Sequence, residues 1–214
     1  MDYSKIENIL RNNIKEFNIK LKSGDIKVTL VSQEYCNKRN WKLLYFINNN
    51  YFYEKLTNFI SNINKIQIDK IELFLFSAQE IEVFDSNTSK YTSISRGVYY
   101  YKSIRLNEIE DIILYPTDSR KNDLDVYSMS MIATNDLLDF IIFVDEMRED
   151  FYFYGKQDFL YSFLEISKED YEKYFQKIIQ DTYSLLFKDY LKWLWKNCIM
   201  GRIERSNDNN NINK

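Results

Sequence analysis

Four carboxylates fall within the six-residue stretch "DEMRED", where Asp145, Glu146, Glu149 and Asp150 enclose Met147 and Arg148. Side chains of this type at this spacing can do two kinds of chemistry. They can hold a hard divalent cation, or they can act as a general acid and base pair. Asp69 and Glu72, ahead of an apolar run, form a second candidate pair. Arg148 weighs against a cation in the first stretch, because its guanidinium cancels part of the field that a cation needs. A metal-dependent nuclease centre of the restriction-enzyme kind would also want a Glu and a Lys two apart on a strand. No strand read from this sequence carries that pair.

Other chemistries lack their parts. The chain has no histidine, which removes Ser-His-Asp and Cys-His nucleophile activation, imidazole acid-base catalysis near neutrality and histidine metal ligation. The four glycines, Gly24, Gly97, Gly155 and Gly201, stand far apart, so neither a phosphate-cradling loop nor a dinucleotide fingerprint can be assembled. The sequence is therefore read as non-enzymatic, with no catalytic, cofactor-binding or metal-binding residue assigned.

The elements around the acidic knot decide how it is presented. "LLDFIIFV" and "DFYFYG" flank it and read, with "VYSMSMIAT" before them, as three consecutive antiparallel strands. The knot is then a polar turn between two of them or a docking site, with an active site as the remaining alternative. Upstream, Ile6, Ile9, Leu10, Ile14 and Phe17 recur at helical spacing. "NIKLKSGDIKVTLV" alternates around Ser23-Gly24-Asp25 as a hairpin, and "WKLLYFI" reads as a third strand. Phe52, Leu56, Phe59, Ile60 and Ile63 make one helical stripe.

"IDKIELFLFS" reads as a further strand, "SISRGVYYYKSI" as another strand or a tight hairpin, "LNEIEDIIL" as a short helix before Pro116, and "TDSRKNDLD" as a polar loop. Ser167 and Asp170 form a capping box that opens a helical run from Tyr171 to Leu194, with Gly201 as its stop. Leu185, Phe187, Trp193 and Trp195 lie off the main apolar face, so this end of the run packs on more than one side. The fold class is α+β: a mixed, largely antiparallel sheet with an N-terminal helix and a C-terminal helical segment. Residues 1–201 read as one α+β domain and 202–214 as a polar, Asn-rich tail.

Composition bounds the partners. With 214 residues and 45% hydrophobic residues the chain can bury a sizeable core. Eighteen tyrosines and 15 phenylalanines exceed what that core needs and leave rings for an interface. The formal net charge of -3, from 29 basic and 32 acidic residues, offers no uniform field to draw in a nucleic-acid backbone. The densest basic window, "NKRNWK", reads as a solvated loop. Cys36 and Cys198 have no metal or redox spacing, and the opening "MDYSKIENIL" is not a basic, apolar leader, so a reduced, cytoplasmic chain is expected. No apolar run approaches the roughly 20 residues that span a bilayer.

The segment from Asp145 to Glu172 is acidic and carries Tyr152 and Tyr154 in its midst. Such a surface suits a basic protein partner, since charge steers the encounter while rings supply the anchors. The expected contact residues are Asp145, Glu146, Glu149, Asp150, Tyr152 and Tyr154. Trp193 and Trp195 are a second candidate surface, which could also serve a homodimer through the C-terminal aromatic helix. No direct nucleic-acid partner, membrane or cofactor is expected.

Two stretches carry a family resemblance. "YEKLTNFISNINKIQIDKIELFLFSAQEIE" leads a helix into a strand ending in a Ser-Ala-x-Glu-Ile turn, and "DFIIFVDEMREDFYFYG" is a strand pair followed by the short helical "QDFLYSFLE". Over about half of the chain this pattern resembles the SUKH superfamily of immunity proteins. The chain departs from that family in lacking a Leu-Pro step, an Asn-Gly pair and a glycine in its acidic loop. The resemblance implies an α+β binding scaffold that neutralises a toxin by occluding its active site. Two alternatives stay open beside it: a phage or mobile-element inhibitor of a host defence nuclease, of the anti-CRISPR kind, and a carboxylate-dependent metal enzyme.

Overall fold

A computed structural model describes residues 3–66, 72–85, 90–105, 130–135, 137–145 and 150–199. Glu146 and Glu149 of the knot, Asp69, the expected helix and loop between 106 and 125, the stop at Gly201 and the tail lie outside these residues.

Helix α1 (Tyr3–Asn13) buries Ile6 and Leu10 and carries an Arg11–Glu7 ion pair on its outer side. It is shorter than its apolar spacing suggests. Ile14 and Phe17, expected on the helix, open strand β1 (Ile14–Leu21), because from Ile14 onward the side chains alternate and a partner strand of matching alternation follows. That partner is β2 (Gly24–Val31), paired antiparallel from Ile14↔Val31 to Leu21↔Gly24, so Lys22 and Ser23 make the turn. Gly24 enters β2 at φ 137°, a backbone conformation that side chains disfavour.

Ser32 caps α2 (Gln33–Arg39) by accepting the Tyr35 N–H, and Asn40 ends it in the left-handed conformation at φ 53°. "NKRNWK" is thus not a solvated loop but the last turn of α2 running into strand β3 (Trp41–Ile47). Arg39 is half-buried and engaged within the chain: it lies over the Trp41 ring at 4.9 Å and donates to the Leu138 carbonyl at 2.6 Å. The stripe read from the sequence holds in α3 (Asn50–Ile66), where Phe52, Leu56, Phe59, Ile60 and Ile63 are all buried.

The remaining strands are β4 (Glu72–Asp85), β5 (Lys90–Arg105), β6 (Ser130–Thr134), β7 (Phe140–Asp145) and β8 (Asp150–Lys156). With β3 they form a six-stranded antiparallel sheet in the order β3-β8-β7-β6-β4-β5. The expected meander is there, and Asp145 pairs with Asp150, so the acidic knot does join two antiparallel strands.

Among the described residues three helices follow β8: α4 (Gln157–Phe163), α5 (Lys168–Asp181) and α6 (Leu185–Leu194), with a π turn after them at Trp195–Ile199. Ser167 caps α5 through the Asp170 N–H, as the capping box requires. The single helical run read from Tyr171 to Leu194 is two helices. Thr182 leaves helical geometry, and Ser184 caps α6 by accepting the Phe187 N–H.

Alternation along β3 and β8 separates two faces of the sheet. On one, Phe46 and Phe153 meet Phe52 and Phe59 of α3, and Phe52 stacks on Phe151 with ring centroids 3.7 Å apart. On the other, Tyr45, Tyr152 and Tyr154 face α6 and the β1–β2 hairpin. Helix α5 lies along the β3 edge and touches both sets through Tyr171, Tyr174 and Phe175.

Candidate functional site

The expected contact residues do not share one surface. Asp150, Tyr152 and Tyr154 are 1%, 1% and 2% exposed, which corrects the reading of the tyrosines as surface anchors and of Asp150 as a steering charge. Their strand runs between β3 and β7, and its two faces are covered by α3 on one side and by α6 and the β1–β2 hairpin on the other. Asp145 is half-buried at the end of β7.

The buried residues form a polar network. Tyr45 Oη donates to Asp150 Oδ1 at 2.5 Å, Tyr152 Oη reaches Asp150 Oδ2 at 3.4 Å, and Tyr190 Oη lies 3.2 Å from Tyr152 Oη. The network ties β3, β8 and α6 together at one end of the sheet. Burial, reinforced by the Asp150 charge, pushes the Tyr45 phenol well above its ordinary value. Tyr152 is raised well above it too, by burial first and then by Tyr190 and Asp150. These phenols stay protonated at neutral pH and act as hydrogen-bond donors to the carboxylate.

Beside the network the open edge of the sheet is closed by side chains. Tyr171 Oη accepts the Tyr45 N–H at 2.7 Å and donates to the Tyr45 carbonyl at 3.3 Å. Tyr174 Oη accepts the Ile47 N–H at 3.2 Å. An edge strand normally presents these groups to another chain, and here α5 occupies them.

A groove of about 660 Å³ opens where β3 ends, between the first turn of α3 and the length of α5. Tyr51 and Tyr174 stack in it with centroids 4.5 Å apart. Lys55 is buried beside them, 2.9 Å from Glu54 and 5.1 Å from the centre of the Tyr51 ring, and it donates to the Glu165 carbonyl. Burial and the charges of Asp170 and Glu54 push Tyr51 up to about 12.

At the far end of the groove, past Asp181 and Thr182, Tyr183 is fully exposed and Leu185 is 66% exposed. The turn that carries them is well braced. Thr182 Oγ1 donates to the Ile178 carbonyl at 2.7 Å, the Lys188 N–H donates to the Ser184 carbonyl at 2.8 Å, and Ser23 Oγ of the β1–β2 turn donates to the Leu185 carbonyl at 3.5 Å. The sequence reading set Leu185 off the main helical face but missed Tyr183. The signal available was Ser184, a helix cap that turns the residues before it outward.

The second candidate surface is partly spent. Trp195 stacks on Phe175 at 4.9 Å and Trp193 lies parallel to Tyr190 at 6.4 Å, so one face of each indole packs on the core while both remain half-buried. Among the described residues no group of three or more His, Cys, Asp and Glu side chains is placed to hold a metal ion, and no helix is long and apolar enough to cross a membrane. Set against family models, curated proteins and solved structures, the chain finds no match in any of the three.

Proposed function

We propose that the chain is a non-catalytic protein-binding inhibitor that acts as an immunity protein: it binds a basic toxin and covers its active site. The observation that carries this reading is the pair Tyr183 and Leu185, two large side chains held out to solvent on a braced turn just beyond the Asp181–Thr182 end of the α3–α5 groove. A backbone braced before binding loses little conformational freedom on contact, which helps a small surface gain affinity.

The groove lining is balanced, with Glu165, Asp170 and Asp181 against Lys55, Lys173 and Lys177, and the acidic excess that fits a basic partner lies along α4 and α5 as a whole. From Asp158 to Asp181 six acidic residues stand against three lysines. Two of those lysines lie beside acids already, Lys173 at 3.5 Å from Asp170 and Lys168 at 3.8 Å from Glu172. A net acidic segment raises the rate of encounter with a basic protein, and the rate falls as salt screens it. The resemblance to the SUKH superfamily points the same way, toward an α+β scaffold that neutralises a toxin by contact.

The proposal moves the contact surface from the acidic knot to the α5–α6 turn and its groove. It is tested by capture of a basic partner with the wild-type chain, with Tyr183→Ala/Leu185→Ala and with Asp145→Lys. Loss of capture in the double variant, with capture kept in Asp145→Lys, supports the relocated surface. Equal capture by all three rejects it.

A further inference from the structure

Cys36 and Cys198 lie far apart in the sequence, and the fold joins the two segments that carry them. Cys36 is buried in α2, and Cys198 is half-buried in the π turn that follows α6. Gln33, one helical turn before Cys36, donates from its side chain to the carbonyl of Asn197, the residue before Cys198, at 3.2 Å. Tyr154 joins them from behind. Its hydroxyl accepts the Val31 N–H at 3.3 Å, next to the Ser32 cap of α2, and the Cys36 N–H donates to the Ser32 carbonyl at 3.1 Å. Both thiols are close enough to Tyr154 to oppose its ionisation, after the larger effect of burial.

We infer that Cys36 and Cys198 form an oxidisable thiol pair, a site where a reversible intramolecular disulfide ties the C-terminal π turn to α2. The half-buried Cys198 is the entry point, since Cys36 is only 2% exposed. The co-reactant is a low-molecular-weight disulfide such as oxidised glutathione. Cys198 loses its proton and its sulfur attacks one sulfur of that disulfide. The small S–S bond breaks, and one small thiolate leaves and takes up a proton. Cys36 then loses its proton and attacks Cys198 Sγ, which expels the second small thiol. Two protein thiols are oxidised and one small disulfide is reduced to two thiols.

Closing a loop over most of the chain restricts the unfolded state, so the oxidised form resists heat better. The test uses the full chain in its folded state. It is incubated with oxidised glutathione, its thiols are counted after denaturation without reductant, and the linked peptides are identified by mass. The expected result is loss of both thiols together, a peptide joining Cys36 to Cys198, a monomeric chain and a thermal midpoint raised by on the order of 10 °C. Cys198→Ser should keep the Cys36 thiol and show no shift of the midpoint with the same oxidant. A glutathione adduct that persists on Cys198 beside a reduced Cys36, a disulfide-linked dimer, or no reaction at all would each overturn the inference.

Discussion

Replacing Tyr171 with phenylalanine removes one oxygen atom from the core and leaves two main-chain groups of one residue without a partner. In the wild type that oxygen accepts the Tyr45 N–H and donates to the Tyr45 carbonyl. Both Tyr171 and Tyr45 are 0% exposed, so water cannot take over either bond without opening the β3–α5 contact. An unpaired buried polar group costs about 1–3 kcal/mol. Two such groups, less the reduced cost of burying a ring without a hydroxyl, give a loss of about 2–4 kcal/mol. Tyr174→Phe is the internal control. It orphans the N–H of Ile47, a residue only half-buried, and should cost about 1 kcal/mol. Urea unfolding read by circular dichroism measures both. The midpoint of Tyr171→Phe should fall clearly below that of Tyr174→Phe at an unchanged slope. Equal costs in the two variants, or a cost below about 0.5 kcal/mol for Tyr171→Phe, would refute the closed-edge argument.

Tyr45→Phe removes the 2.5 Å hydrogen bond to Asp150 and should destabilise by roughly 2 kcal/mol, again by urea midpoint. Ser167→Ala removes the α5 cap at the Asp170 N–H, and a cost of about 1 kcal/mol should appear as a thermal midpoint lower by roughly 2–4 °C. Alkaline pH should unfold the chain cooperatively. Tyr45, Tyr152, Tyr154 and Tyr171 are held well above the ordinary phenol value, chiefly by burial, and Tyr51 and Tyr161 are pushed up to about 12. Folding thus favours the protonated phenols. That contribution is full below the unfolded value of about 10 and is lost as pH rises from there through the folded values. Tyrosinate absorbance and circular dichroism should therefore change together above pH of about 10, whereas full tyrosine titration with an unchanged dichroism spectrum would contradict this.

Local periodicity makes most elements legible in the sequence. The Gly24 hairpin, the α3 stripe ending at Ile63, the meander that carries the acidic knot and the Ser167 cap all follow from spacing and turn chemistry. The failures have physical causes too. Ile14 and Phe17 suit a helix and a strand equally, and pairing with Val31 and Val28 decides for the strand. The break at Thr182 leaves no glycine or proline to mark it, because Ser184 supplies a cap and tertiary packing does the rest. Exposure of Tyr152 and Tyr154 could not be judged from an acidic neighbourhood. Both lie on the face of β8 that α6 and the β1–β2 hairpin cover, and only the tertiary packing shows that cover. The groove and the Tyr171 edge closure depend on where α5 docks, which no local pattern encodes.

The most direct test of the binding role is quantitative capture of a basic protein from the native host. Wild type, Tyr183→Ala/Leu185→Ala and Asp145→Lys would be compared at low and high salt, after circular dichroism shows that each is folded. The account expects a basic toxin or nuclease bound and inhibited by the wild type and by Asp145→Lys, weakened by salt, and lost in the double variant. Binding that survives the double variant, or a captured enzyme whose activity is unchanged, would contradict it.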